Sequence, residues 1–555
     1  MSTKRQTMRT ITITVTDEFG NVTNNPRKNT YQLDLETEGF DSIEKAVINL
    51  KNQMLPDLQK QLLEEEQEEF IKKKPDSLRC NGTAPITIKT LNGSFSFKNQ
   101  RFLEDNCDQT SHTYLGLTNQ FEDGHTSEGL KEFSAYYANR FSYEEVEELV
   151  ERTTGKKQYR SQSVQNTVVT KALEVSKQVA SEASRVLEDD TLFLTEVNQE
   201  VDVYDAETKE ALIFVDGIGV KKQSESRVSS KSANFDTKKE TENAESRVNT
   251  NIVLLEKKAG GFEHITSAID KKGEELLPLS DIVKSKVIQE YGNESEPLNV
   301  VAVTDGAKNI RNMLIAVFGF VVVIILDWYH LRKKVRELMS MIARNKFKKT
   351  EHLEFLLHHL WHGQTDEVLD YLKTKIEAKN EEKLQELITY IEKHQEEIID
   401  YERRKKAGKG VGLEPDPDEG EEEVVQNQQS SSAKTADTDS VSTPGDSVIG
   451  KHQKANLNQE PEDVKAKNQS SSKAKVNKKV VGSGRVEKAC DSTIGKRQKR
   501  KAMSWSKVGS RSLAILKVVE LNHKWLDIWF PPIASNDLQR AANDPCDFEE
   551  LELVA

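Results

Sequence analysis

The chain reads as an α+β or α/β fold: a mixed sheet interrupted by an all-helical insertion, preceded by a β-hairpin and a helical region. Three observations predict this. Residues 211–326 alternate short β-branched runs with helix-forming stretches. Residues 328–409 are almost wholly helix-forming, with repeated apolar spacing in HLEFLLHHLW (352–361) and EKLQELITYIEKHQEEIIDYERR (382–404). Two apolar runs meet an acid at once, LIFVDGIGV at Asp216 and VVAVTDGAKNI at Asp305.

Taken in order, RTITITVTD (9–17) alternates as a half-buried strand does. The charged stretch 42–73 predicts a helix, polar enough to be a solvated face or a coiled-coil partner. ITIKTLNGSFSFKNQRF (86–102) predicts a hairpin in which Asn92 and Gly93 supply the positive φ angles of a tight turn. SYEEVEELVERTTG (142–155) predicts a helix with Ser142 as N-cap, Glu145 closing a capping box and Gly155 as the stop. After a short basic connection, SQSVQNTVVTKALEVSKQVA (161–180) starts a second helix. The pair resembles a helix-turn-helix, in which Ser161, Gln162 and Gln165 would reach base edges; an ordinary helical hairpin is the alternative.

From 211 the pattern turns to strands: ALIFVDGIGVK (211–221), RVNTNIVLLEKKAGG (247–261) and GFEHITSAI (261–269). PLSDIVKSKVIQEYG (278–292) is helical, PLNVVAVTDG (297–306) a strand, AKNIRNMLIAVFG (307–319) a helix and FVVVIIL (320–326) a strand. Three strands, helix, strand, helix, strand is the order of the ribonuclease H-like sheet. Its first and fourth strands are neighbours, so Asp216 and Asp305 are expected to meet at one edge. Residues 410–479, rich in Ser, Lys, Glu, Asn and Gln, read as disordered. Order returns at VVGSGRVEKAC (480–490) and continues through a basic helix to WLDIWF (525–530).

Composition bounds the function. A chain of 555 residues accommodates two or three domains, yet 35% hydrophobic and 31% charged residues assign much of it to surface, loop or disorder. A net charge of -13 excludes a uniformly basic nucleic-acid coat. The charge is uneven, however: acid runs at 63–70 and 416–423 are far in sequence from the basic tract GKRQKRK (495–501). Screening confines each patch to about 8 Å, so local sign outweighs the sum. Cys80, Cys107, Cys490 and Cys546 show neither CxxC spacing nor disulfide density; Cys107 and Cys490 read as small hydrophobes. The N-terminal MSTKRQTMRT lacks an apolar signal region, which with the cysteine usage predicts a reduced, cytosolic setting. MLIAVFGFVVVIIL (313–326) falls short of the roughly 20 apolar residues of a span. With Gly319 in its middle it reads as a helix end, a turn and a buried strand.

An acid at the rim of a sheet can hold a metal ion. Mg²⁺ takes a few hard carboxylate oxygens and keeps its other positions for water and phosphate. Two such ions clamp the attacking and leaving oxygens of a phosphoryl displacement. Asp216 and Asp305 therefore suit nuclease-type phosphoryl transfer.

The blocks VDGIGVK, TDGAKNI, ILDWYH (325–330) and GSGRVEKACDSTIGKRQKRKAMSWS (482–506) resemble bacterial insertion-sequence DDE transposases of the Mutator-related superfamily, specifically the Kra-type group. The resemblance covers about 210–409 and 480–522, and more weakly 85–200. It implies Asp216, Asp305 and Glu487 as catalytic metal ligands, with two Mg²⁺ or Mn²⁺ ions. It implies Asp327 and His330 as a C/D-x-x-H element that shapes the site or binds DNA near it; capping a strand or filling a core is the alternative for His330. Lys496, Arg497, Lys499, Arg500 and Lys501, close to Glu487, would neutralise backbone phosphates and make affinity fall with salt. The activity implied is transposition: strand cleavage, then attack of the freed 3′-OH on target DNA. The implied partners are terminal inverted repeats, target DNA and further copies of the chain as a homodimer or higher oligomer, with no membrane, in the bacterial cytoplasm at the nucleoid.

The division expected is then 1–126, an N-terminal α+β region; 127–205, the helical DNA-binding region; and 206–330, the first part of the catalytic core. A helical insertion (331–409), the low-complexity insert (410–479), the rest of the core (480–530) and a tail (531–555) follow. His358, His359 and His362 read as surface and interface residues of one amphipathic helix rather than a metal cluster. The 410–479 insert departs from the family pattern just before the third acid. Two readings of it stay open: a harmless loop, or an inactive copy that keeps only DNA binding.

Overall fold

In the computed structural model, β1 (Thr7–Ile13) and β2 (Asn29–Leu35) pair antiparallel, and α1 (Phe40–Lys73) follows. The residues described are 7–13, 29–35, 39–104, 111–118, 121, 124–194, 202–208, 210–223, 246–293, 299–318, 322–410, 484–500 and 503–531. Helix α1 buries little besides Ser42, Ala46, Pro56, Gln61 and Gln67, as its polar composition predicts. Strands β3 (Leu78–Thr90) and β4 (Gly93–Glu104) form the expected hairpin, with β5 (Ser111–Thr113) on the far side of β4. The turn differs from expectation. Thr90 pairs with Gly93, so the turn residues are Leu91 and Asn92, and of the Asn92–Gly93 pair only Gly93 has positive φ (134°). A Cβ there would stand 2.6 Å from Pro56 Cγ of α1, so glycine is needed for space as well. Ile88, Phe95, Phe97 and Phe102 pack on Tyr114 and Leu115 of the short α2 (Tyr114–Leu117).

Helices α3 (Glu128–Ala138), α4 (Tyr143–Thr154) and α5 (Ser161–Glu188) come next. The Ser142–Glu145 capping box is present and Gly155 closes α4 at φ 72°. Local rules suffice here: a hydroxyl cap satisfies an orphan N–H, and glycine adopts the left-handed C-cap without a Cβ clash.

The central sheet joins β6 (Glu210–Lys221), β7 (Arg247–Glu256), β8 (Phe262–Ile265), β9 (Asn299–Thr304) and β10 (Val323–Leu326) in the order β10-β9-β6-β7-β8. The β10, β9 and β6 neighbours run parallel, while β7 and β8 run antiparallel, so the fold is mixed α/β with a mixed sheet. Residues 211–215 of β6 are all apolar because both faces of the strand are covered there. Ala211, Ile213 and Val215 enter a core with α6 (Leu279–Tyr291) and α7 (Lys308–Phe318); Leu212, Phe214, Ile218 and Val220 enter another. All seven elements predicted over 211–326 form, though β7 stops at Glu256 and β10 starts at Val323. Among the described residues no helix is long and apolar enough to cross a membrane.

The helical insertion consists of α8 (Trp328–Ile342), α9 (Lys346–Trp361), α10 (Thr365–Thr374), α11 (Glu381–Lys393) and α12 (Tyr401–Lys406). It begins at Trp328, directly out of the sheet, and Trp328, Leu331, Val335, Leu387 and Ile391 share one core with Leu212 and Phe214. After it, α13 (Gly484–Cys490) passes through a π turn (Asp491–Gly495) into α14 (Lys496–Gln498), followed by α15 (Lys507–Leu521) and α16 (Trp525–Trp529). Val486, Ala489 and Cys490 bury the inner face of α13 in the same core as Phe214. Of the expectations above, those on 14–17, Cys107, Gly319, 411–483, Lys501, Cys546 and 532–555 lie outside the described residues.

Candidate active site

Strands β6 and β9 are parallel and in register as far as Val215 opposite Thr304. The next residue on each is an acid, so Asp216 and Asp305 leave neighbouring strands at the same level. Gly217 N donates to Asp216 Oδ1 (2.7 Å), and Ala307 N donates to Asp305 Oδ1 (2.8 Å). The chain turns away from the sheet at Gly306, φ 81°, where a Cβ would lie 2.7 Å from His394 Cε1. Two constraints thus require glycine after the second acid: backbone conformation and close approach.

Strand β10 delivers a third acid. Asp327 N donates to Thr304 O (2.8 Å), and the Asp327 side chain caps α8 by accepting from His330 N (3.1 Å). The same Oδ2 lies 2.8 Å from His330 Nδ1, and His330 Nε2 faces Glu487 Oε1 at 3.5 Å. The imidazole therefore links the end of the sheet to the fourth acid, carried by α13. Asp327 is 2% exposed, and its Oδ1 has no hydrogen-bond partner.

Electrostatics separate these groups. Burial opposes charge on His330, but its hydrogen bond to Asp327 and the carboxylates of Asp327, Asp216 and Glu487 outweigh this and raise its pKa. Burial raises the Asp216 carboxyl; His330 draws it down, while Asp305 pushes it up. Burial likewise raises Glu487, opposed by His330 and Lys333 and reinforced by Asp327 and Asp216. One imidazole is thus shared among three acids, Asp327, Asp216 and Glu487.

Asp216, Asp305 and Glu487 are carboxylates, the hard oxygen donors that a divalent ion such as Mg²⁺ takes. Among the described residues, no group of three or more His, Cys, Asp or Glu side chains is arranged to hold a metal ion. An open site with few protein ligands is what Mg²⁺ accepts. Asp216, Asp305 and Glu487 are the residues that would hold it, with Asp327 and His330 orienting Glu487.

Sequence reasoning missed a second layer. Beneath Gly306, His394 Nδ1 lies 2.5 Å from Glu397 Oε2, both buried, and Arg311 Nη1 lies 3.1 Å from Glu397 Oε1. Leu326 N donates to Glu397 O (2.9 Å), and Tyr401 Oη donates to Leu326 O (2.7 Å). The helical insertion therefore grips β10 one residue before Asp327. Its only trace in the sequence is a His and a Glu three apart at a helix end, which is too common to notice.

The basic tract divides. Lys496, Lys499 and Arg500 are exposed, with Lys496 3.8 Å from Asp491 and Arg500 Nη2 donating to Arg140 O (3.1 Å). Arg497, expected to meet phosphate, is instead 4% exposed. Its Nε donates to Ala138 O (2.8 Å), and its guanidinium lies over the Trp505 ring (4.9 Å). Cys490, as expected, is a buried small hydrophobe: burial and the nearby Asp216 raise its thiol far above the usual range.

In the helical pair, Val164, Val168, Ala172 and Val175 bury one face of α5, which packs on α15. Ser161 N donates to Glu147 Oε2 (2.7 Å), Gln162 is exposed and Gln165 is partly buried. All three line a cleft of about 310 Å³ together with Gln223, Trp505 and Ser506. Of the α9 histidines, His359 bonds Gln364 (2.6 Å) and His362 lies 3.1 Å from Glu402, in keeping with surface and interface roles. No protein-family model matches the chain, and no curated protein matches it.

Proposed function

We propose that the chain is a DDE-type DNA transposase of the Mutator-related, Kra-type group, built on a ribonuclease H-like core. The observation that carries this is the exit of Asp216 and Asp305 at one level of adjacent parallel strands, with Glu487 tied to Asp327 through His330. The strand order, with the first and fourth strands paired, supports the ribonuclease H-like reading.

Two Mg²⁺ or Mn²⁺ ions would supply the Lewis acid that activates water and stabilises the leaving oxygen. Asp216 and Asp305 present oxygens from a rigid sheet edge. His330, held by Asp327, faces the Glu487 carboxylate and would orient it. Water attacks a phosphodiester at the end of the element, leaving a 5′-phosphate and a free 3′-OH; that hydroxyl then attacks a target phosphodiester and displaces the target strand's 3′-OH. No side-chain nucleophile is required, and the buried, protonated Cys490 thiol is unsuited to be one.

The test is incubation of the purified chain with element-end DNA and Mg²⁺. Asp216→Ala and Glu487→Ala are expected to lower cleavage by on the order of 10³-fold while DNA binding persists. Cleavage that survives either change sinks the assigned site. A wild type that binds without cutting is an inactive DNA-binding relative, and one that cuts without joining is a nuclease of another kind.

A further inference from the structure

Past Asp216, the β6–β7 ribbon runs on to Lys221 opposite Arg247. Side chains alternate along it, and cross-strand partners share a face. Asp216 pairs with Ile252, whereas Gly217 pairs with Asn251, Gly219 with Asn249 and Lys221 with Arg247. Arg247 and Asn249 therefore leave the sheet on the face opposite the carboxylates. Gly217 and Gly219 place no side chain beside them, and a Cβ at Gly219 would meet Asn249 Oδ1 at 2.7 Å.

At this end of the ribbon lies a cleft of about 680 Å³. Its charged lining is Lys222, Arg247, Lys272, Lys507 and Arg511 against the single acid Glu274, which is paired with Lys507. Arg511 is fixed by bonds to Gly273 O (2.8 Å) and Asn249 O (3.0 Å). Five cations converge here in a chain whose net charge is -13. Gln223 and Ser506 line both this cleft and the neighbouring one that holds Gln162 and Gln165, so the two form one groove.

We propose that this groove is a docking track for the sugar-phosphate backbone of duplex DNA. Fixed cations interleaved with neutral donors such as Asn249, Gln223 and Ser506 are what phosphate contacts use. Among the described residues no aromatic side chain lines the basic cleft; in the neighbouring part of the groove Trp505 is buried with its Nε1 bonded to Gln498 O (3.1 Å), and Tyr143 is half-buried with the Arg497 guanidinium over its ring (5.7 Å). A single strand, which needs stacking platforms, is therefore disfavoured. The proposal rests on the nucleic-acid partner of the reading above but not on its chemistry.

The experiment is fluorescence anisotropy of a labelled DNA duplex with the full chain in EDTA, as a function of salt. Arg247→Glu combined with Lys272→Glu changes two exposed side chains. It is expected to weaken binding roughly tenfold or more and to flatten the log K against log salt slope by about 2. Lys272→Glu alone should flatten it by about 1, which keeps the test valid if the double variant melts early. Unchanged affinity and slope in a normally melting variant overturn the track. Tighter binding of single-stranded DNA, RNA or heparin than of duplex, lost in the same variant, overturns the duplex assignment. If the groove variants lose binding while the wild type never cuts in Mg²⁺, the track stands and the transposase reading falls. If the wild type cuts and the variants bind unchanged, the reverse holds.

Discussion

Strand β6 carries one acid at its start and another midway along it, and the fold treats them oppositely. At its start, Glu210 meets the guanidinium of Arg404 in two parallel bonds of 2.9 Å each, with Lys409 Nζ at 3.2 Å. Arg404 is fully buried and also donates to Gly410 O and Val203 O, both at 2.7 Å. Midway along the strand, Asp216 shares one imidazole with Asp327 and Glu487, and its carboxyl is raised by burial before any neighbour acts. A buried charge that is fully paired holds structure together. One left under-compensated costs stability, and that cost is characteristic of a functional site. Composition and position on the strand do not distinguish the two; their partners do.

Breaking the closed end should have the largest effect. Glu210→Gln leaves the Arg404 guanidinium buried without its counter-charge, and about 3–5 kcal/mol of stability should be lost. Urea unfolding should show a lower midpoint at unchanged slope. A midpoint close to wild type would mean that water reaches Arg404 and that the two acids are more alike than the burial implies.

An intermediate effect is expected at the link between the acids. His330→Gln should lower cleavage by roughly 10–100-fold, the scale of losing a residue that orients a metal ligand. Its melting temperature should stay near wild type, because the backbone cap from Asp327 to His330 N survives the change. A loss of fold without a separate loss of rate would make His330 a structural residue.

The smallest effect has the opposite sign. The folded-state carboxyl of Asp216 is raised, so its contribution to stability is present below the ordinary value of 3.8 and lost as pH rises through the higher folded value. In EDTA, Asp216→Asn should therefore melt above wild type at neutral pH, with the gain shrinking on acidification toward pH 4. Added Mg²⁺ should raise the wild-type melting temperature, as any ligand of the folded state does, and leave the variant unmoved. A variant that melts lower at every pH would place Asp216 with Glu210 as a structural acid.

Much of the frame was legible because it obeys local rules. The Ser142–Glu145–Gly155 caps, the two-sided apolar run of β6 and the breaks at Asp216 and Asp305 all express chemistry within a few residues. The hairpin was legible, but its turn was off by one residue, because Gly93 is required by Pro56 of a helix distant in sequence. Arg497 looked like its exposed neighbours in a basic tract, and only packing against α3 and Trp505 sets it apart. The same holds for His394 and Glu397, whose importance comes from lying beneath Gly306.

By itself, the sequence determined element types, their order and the pairing of two acids, since hydrophobic period and turn chemistry act over short range. Only the tertiary structure decided which charges are paired. It brought Glu487 on α13 to His330, buried Arg404 on Glu210 and Arg497 under Trp505, and gathered five cations into one cleft. The physical reason is that a charge's energy depends on burial and on neighbours within a few ångströms, which here come from segments remote along the chain.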